Sequence, residues 1–342
     1  MSGVPPEDWS RAVALLRDAD EIALAGDVTP DGDALGSLLA AAIGLHAQGH
    51  RVSASWGRVP FQVPPALASL PGQELLVPPA RFPRAPGLLV TLAAPDVDRL
   101  GLLAGCAERA GTVIVVDDHD SNTRFGDVHL VDPDVAATVV IVAALLRQLG
   151  IPLSAEIAAP LYAGLSSDTG SFKYRVTSPA AHELAARLLR TGFRHDVLAR
   201  ALWDTHPAGY LRLLGLMLSR LAVEPEAAGG LGLAWTYCTA DEASSFGIPL
   251  EGTGGAVADM VQTVAEAEVA AVCRSGTDGM VRVSLRSGDQ VDISEVSAAL
   301  GGGGHRFAAG FTSYSDLEDT MTLLRKALTA WADRHLLERR SA

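Results

Sequence analysis

Cysteine, aromatic residues and basic charge are all scarce in this chain of 342 residues. The three cysteines, Cys106, Cys238 and Cys273, are odd in number, widely spaced and in no metal-ligand pattern. A disulfide framework is therefore not expected, and a reduced, cytoplasmic setting is the default. Twenty-seven basic residues against 40 acidic ones give a net charge of -13. That balance argues against a broad basic surface gripping long nucleic acid, while leaving room for a local basic cleft. The start, MSGVPPEDWSRAVALL, lacks the charged lead and apolar run of a signal peptide. Charge, Gly or Pro breaks every apolar stretch well before the ~20 residues of a membrane span. Membrane, fibrous, disordered and secreted readings drop out. What is present is 48% hydrophobic residue content with 34 glycines, the composition of an Ala- and Gly-rich acidic enzyme.

The first half alternates short apolar runs with helical patterns. Residues 21–26, 51–56, 88–92 and 112–116 read as buried strands, and 7–19 and the Ala/Leu stretch ending near 48 as helices. Continuous apolar runs between helices are what a parallel sheet covered on both faces requires. The expected fold is α/β, with a doubly wound, mainly parallel sheet whose ligands sit beyond the C-terminal strand ends. Four polar segments are placed there: 27–37, 93–99, 117–126 and 166–174. A helical connector and linker are expected over 201–230, with 223-VEPEAAGG-230 as the linker. Residues 231–342 read as a smaller α/β domain, leaving 1–200 as the first domain.

Four motifs carry chemistry. PDGDALGS sets Asp31 and Asp33 directly before a helix, which suits a hard divalent cation or, equally, an Asx turn with an N-cap. IVVDDHDSN places Asp117, Asp118 and His119 at a strand end. SSDTGSF puts Asp168 after the apolar run 157–165. Three acidic loops on one sheet edge favour metal-assisted phosphoryl chemistry over three independent turns. In 301-GGGGHRFAAGF-311, four glycines ahead of an expected helix offer N–H groups to an anion, with His305 and Arg306 adding donors. Arg286, closing the strand VSLRS, is a natural phosphate fork.

In order and spacing these motifs resemble the DHH phosphoesterases, most closely the bacterial branch of oligoribonucleases and phosphoadenosine phosphate (PAP) phosphatases, with relatives acting on cyclic dinucleotides. The resemblance implies a metal site of Asp31, Asp33 and Asp168 with Asp27 and Asp118 as further ligands, and a divalent Mn or Mg ion. It implies a catalytic set of His119, Asp117 and Arg99. It implies that Arg286, His305 and the Gly302, Gly303 and Gly304 backbone hold the nucleotide end of a short substrate at the cleft between two domains.

Three positions depart from the family pattern. Asp27 stands where the family has His, Ala93 where a metal-bridging carboxylate lies six residues before Arg99, and Asp118 where a second ligand His lies. Asp96 and Asp98 fall past the expected strand end. Replacing two imidazoles by carboxylates moves preference from Mn toward Mg. The expected function is a metal-dependent phosphoesterase for short oligoribonucleotides, cyclic dinucleotides or PAP. Alternatives are a catalytically degenerate homologue that binds nucleotides and a one-metal phosphatase for another small metabolite. Long nucleic acid and membrane are not expected partners, and monomer and homodimer both stay open.

Overall fold

The computed structural model describes residues 3–250 and 253–339, so the extreme ends of the two expected domains lie outside the described residues. The chain divides into two units, Met1–Thr205 and His206–Ala342.

In the first unit the elements run α1 (Pro6–Asp18), β1 (Glu21–Gly26), α2 (Gly32–Ala47), β2 (Arg51–Trp56), β3 (Leu88–Leu92), α3 (Ala104–Ala107), β4 (Thr112–Asp117), β5 (Val128–Val131), α4 (Thr138–Leu149), α5 (Ala155–Asp168), α6 (Pro179–Leu189) and α7 (His195–Trp203). All five strands are parallel in the order β2-β1-β3-β4-β5. That is the doubly wound order with its switch point between β1 and β3, where loops leave in opposite directions and open a crevice. β3 is buried along its whole length, as a central parallel strand must be. One face packs on α1, α2, α4 and α5. The other is closed by Leu100, Leu103, Cys106 and Phe82 from short turns and the four-residue α3 rather than by long helices.

Two expectations are corrected here. β5 has no counterpart in the sequence reading, because its four residues carry too little pattern to register. The run 157–165 is helix α5, not a strand leading to a sheet edge, so Asp168 arrives from a helix C-terminus. What brings it to the sheet is glycine. A Cβ on Gly36 of α2 would overlap the Pro160 carbonyl of α5, and one on Gly164 would lie 3.0 Å from the Asp33 Cα. Only with bare backbone at these positions do α2 and α5 approach closely enough to set Asp168 beside the α2 N-terminus.

The second unit comprises α8 (Ala208–Ser219), β6 (Ala222–Glu224), α9 (Ala227–Gly230), β7 (Leu233–Thr239), α10 (Ala240–Ser245), α11 (Thr253–Val261), β8 (Val269–Ser275), β9 (Val281–Ser287), α12 (Ile293–Ala299), β10 (Gly303–His305), β11 (Ala308–Ser313) and α13 (Leu317–Arg339). Its six strands run β10-β11-β9-β8-β7-β6, antiparallel except for β7 with β8. The segment 223–230 is not a linker: β6 pairs with β7, and Ala228 is buried in the core. The break falls instead at Thr205/His206, inside the Asp-Thr-His-Pro interruption of the helical stretch. The motif at 301–311 is also corrected, since it forms the β10–β11 hairpin rather than a loop opening a helix. The cysteines are buried and unpaired. Among the described residues, no helix is long and apolar enough to cross a membrane.

Candidate active site

The loops leaving β1, β3 and β4 converge with the ends of α2, α4 and α5, and each acidic residue there has a distinct local duty. Asp31 is the N-cap of α2, its Oδ1 accepting from the Asp33 and Ala34 amides at 3.1 and 3.0 Å. The ordinary capping role is thus real, and it fixes the direction of the carboxylate. Asp33, in the first turn of α2, is 3% exposed. Its Oδ2 and Oδ1 accept from the amides of Thr138 and Val139, both at 2.9 Å. Those amides open α4, whose N-cap residue Ala137 has no side chain able to cap. A carboxylate from α2 therefore caps α4 across 105 residues of sequence and meets the positive end of its dipole. Thr138 also donates its hydroxyl to Asp118 Oδ1 at 2.6 Å.

Asp33, Asp118 and Asp168 share one electrostatic predicament. Burial pushes all three carboxyls above their usual range. After burial, the charges of Asp118 and Asp31 push Asp33 up, and those of Asp33, Asp31 and Asp118 push Asp168 up. The α4 amides offset this only in part for Asp33. His119 is the cation that faces this set, acting on Asp118 and on Asp33.

Asp117 ends β4 fully buried and works on its neighbour. Its Oδ1 meets His119 Nδ1 at 2.8 Å, and its Oδ2 accepts from Asn122 Nδ2 at 2.7 Å. The hydrogen bond to Asp117 raises His119 to about 9, overcoming the opposing effect of burial, with Asp118 at 3.8 Å adding to the rise. With no metal ion beside it, the imidazole thus favours its protonated form, with Nδ1 engaged by Asp117. Asp117, Asp118 and His119 place one ligand atom each within 4.8 Å of one another.

Two residues of the expected set do not join the carboxylates. Asp27 is bound by Arg99 in a two-pronged pair, Nε to Oδ2 at 2.6 Å and Nη2 to Oδ1 at 2.8 Å. Thr29 adds its amide and hydroxyl to Oδ1 at 2.8 and 3.1 Å. Asp27, expected as a further metal ligand, and Arg99, expected as a catalytic residue, are here each other's partner. Asp96 accepts from the Arg99 amide at 3.0 Å, shaping that turn. Ala93 follows β3 with its amide donating to Val116 at 3.0 Å and φ at +52°. This left-handed conformation is costly for alanine and easier for Asp or Asn.

In the second unit, the β10-β11-β9 ladder sets His305, Ala308 and Arg286 in one row. His305 and Arg286 therefore stand about two strand spacings apart, ~10 Å, with only a methyl between them. Arg286 is not an open fork, because Nε donates to Asp259 at 2.6 Å and Nη1 to the Leu285 carbonyl at 3.0 Å. The Gly301 and Gly302 amides donate back to Ala298 and Ser297 at the α12 C-terminus. The expected anion cradle of Gly302, Gly303 and Gly304 thus loses the Gly302 donor, and a helix C-terminus, not an N-terminus, precedes it. Gly302 is instead a close-approach position, where a Cβ would strike the Gly310 carbonyl.

Sequence reasoning missed Thr29, Asn122, Thr138 and the α4 amides. One signal was available: a helix opening Ala-Ala-Thr lacks a local cap, so a buried start must borrow a distant acceptor.

Residues 21–165 match the DHH family, N-terminal domain, and residues 251–333 the DHHA1 domain. The bifunctional oligoribonuclease and PAP phosphatase NrnA of Thermus thermophilus is 36% identical over 319 residues, 91% of this chain and 92% of that protein. An exopolyphosphatase-related protein of Bacteroides fragilis superposes with a TM-score of 0.88 at 23% identity, over 97% of this chain and 98% of that one. RecJ of Thermus thermophilus in complex with Mn2+ superposes at 0.53 and 20% identity, over 97% of this chain and 55% of that one. Together with the motif order and the carboxylate cluster beyond β1, β3 and β4, these likenesses place the chain in the DHH family of phosphoesterases.

Proposed function

We propose that this chain is a divalent-metal-dependent phosphoesterase that hydrolyses short oligoribonucleotides, cyclic dinucleotides or PAP. The observation that carries the reading is the clustering of buried Asp33 with half-buried Asp118 and Asp168 and exposed Asp31, carboxylates whose charges raise one another's proton affinity, with His119 as the cation acting on Asp33 and Asp118. Buried like charges need a cation, and an all-oxygen donor set fits Mg2+ or Mn2+. These four residues would hold one such ion, which supplies Lewis-acid polarisation of a phosphoryl oxygen and a lowered pKa for bound water.

The other residues act through their own protons and charges. Asp117, steadied by Asn122, keeps His119 protonated and aimed. His119 is suited to donate a hydrogen bond to a non-bridging phosphoryl oxygen, or a proton to the leaving oxygen. Exposed His305 and the neighbouring Gly303–Gly304 edge, with Arg286 two strands away, are proposed to meet the nucleotide end. The small-substrate class follows from the relative named as an oligoribonuclease and PAP phosphatase and from the net charge of -13, which disfavours long polyanions.

A second reading, a nucleotide-binding homologue without turnover, is favoured by Ala93 and by the Arg99 pair on Asp27. Incubation of the full chain with a diadenylate, a cyclic dinucleotide and PAP in Mn2+ separates the two. Release of mononucleotide from the first two substrates, or AMP and phosphate from PAP, abolished by chelator, is expected. Tight binding of all three without product would favour the second reading.

A further inference from the structure

We propose that Arg99 is a built-in counter-cation standing in for a second metal ion, so that the site takes one divalent ion and leaves Asp27 outside its coordination. This rests on the metal reading given under Proposed function. The geometry is that of a saturated carboxylate. Asp27, whose side chain is 6% exposed, takes the Arg99 fork on both oxygens. Its Oδ1 takes two further donors from Thr29. Such two-pronged pairs are among the strongest charge-assisted contacts, and a metal ion would have to displace one to reach Asp27.

The guanidinium is itself held in register. Its residue donates N–H to Asp96 at 3.0 Å and accepts the Val28 amide on its carbonyl at 2.7 Å. The turn after β3 is thereby stitched to the loop after β1, where Asp27 sits. The same turn begins at Ala93, which offers no carboxylate to hold two ions together. The two features answer each other. Where no side chain bridges two ions, a fixed positive charge from the protein neutralises the carboxylate that a second ion would have met. Among the described residues no arginine forms a comparable pair with Asp31, Asp33, Asp118 or Asp168, and these remain as ligands for a single ion.

Metal stoichiometry tests this without recourse to activity. The full-length chain, stripped by chelator, is titrated with Mn2+ while free ion is followed by electron paramagnetic resonance. One ion per chain, with no exchange coupling between neighbouring ions, is expected. Arg99→Gln should take up a second, weaker ion, and the double variant Asp27→Asn/Arg99→Gln should return to one. Asp27→Asn alone, which retains the fold-stitching backbone contacts, should bind its single ion within about twofold of the parent. Two coupled ions in the parent, an Arg99→Gln variant that stays at one, or loss of the first ion in Asp27→Asn would each overturn the proposal. No Mn2+ uptake by any form would overturn the metal reading beneath it.

Discussion

Asp168→Asn is expected to lower phosphoesterase activity by at least about a hundredfold while raising the thermal stability of the metal-free protein at pH 8. The two effects have one origin. Asp168 is half-buried beside Asp31, Asp33 and Asp118, and each of those charges raises its proton affinity. An amide of the same shape removes one member of the repelling set, so the empty site is relieved. Stability purchased this way removes a ligand oxygen. An ion of this kind contributes several kcal/mol of charge stabilisation in the transition state, and about 2.8 kcal/mol is already a hundredfold in rate. Unfolding curves and steady-state rates on the same preparations check both limbs. A variant that loses activity and stability together would mean that Asp168 is structural and that the carboxylates do not strain the empty site.

The second large effect is expected from rebuilding the family's ligand set. Ala93→Asp restores a carboxylate at the end of β3, and the backbone there is ready for it. Its φ of +52° is a conformation that Asp tolerates better than Ala. Asp27→His removes the anion that Arg99 now binds, and Asp118→His supplies the second imidazole, so the triple variant offers the mixed nitrogen and oxygen set that favours Mn. Two clamped ions stabilise both attacking and leaving oxygens. A rise of tenfold or more in Mn2+-dependent hydrolysis of diadenylate is expected, about 1.4 kcal/mol of barrier. Slower hydrolysis by a folded triple variant would show that the all-carboxylate arrangement is a working site with its own optimum.

Much of this architecture was legible because it is written in local periodicity. Buried runs between helices gave β1, β3 and β4, and the acidic motifs fell at their ends. Asp31, Asp33, Asp117, Asp118, His119 and Asp168 do come together in one place. What escaped depends on contacts between distant segments. The pairing of Asp27 with Arg99 spans 72 residues, and no spacing rule announces it. The α5 segment reads as apolar whether helix or strand, so its type was settled by packing on α2 through Gly36 and Gly164. The glycine-rich motif at 301–311 misled for a related reason. A glycine cluster suits an anion loop and a tight antiparallel hairpin equally, and here the neighbouring strands β9 and β11 decided for the hairpin.

The central claim, that the clustered carboxylates form a cation site, is tested most directly by thermal unfolding of the unaltered chain at pH 5 and pH 8, with and without Mn2+. Carboxyls raised in the folded state, as those of Asp33, Asp118 and Asp168 are, add stability that is fully present below the unfolded value near 4 and lost as pH rises through the folded one. His119, raised to about 9, works in the same direction, its contribution fully present below about 6.5 and lost through 9. The metal-free protein should therefore unfold at a lower temperature at pH 8 than at pH 5. Mn2+ at a hundred times its dissociation constant adds about 2.7 kcal/mol to the folded state. For a unit of this size that corresponds to a rise of about 5 °C or more at pH 8, with little change at pH 5, where protons compete for the same oxygens. A metal-free protein more stable at pH 8 than at pH 5, with no response to Mn2+ at either pH, would contradict the account.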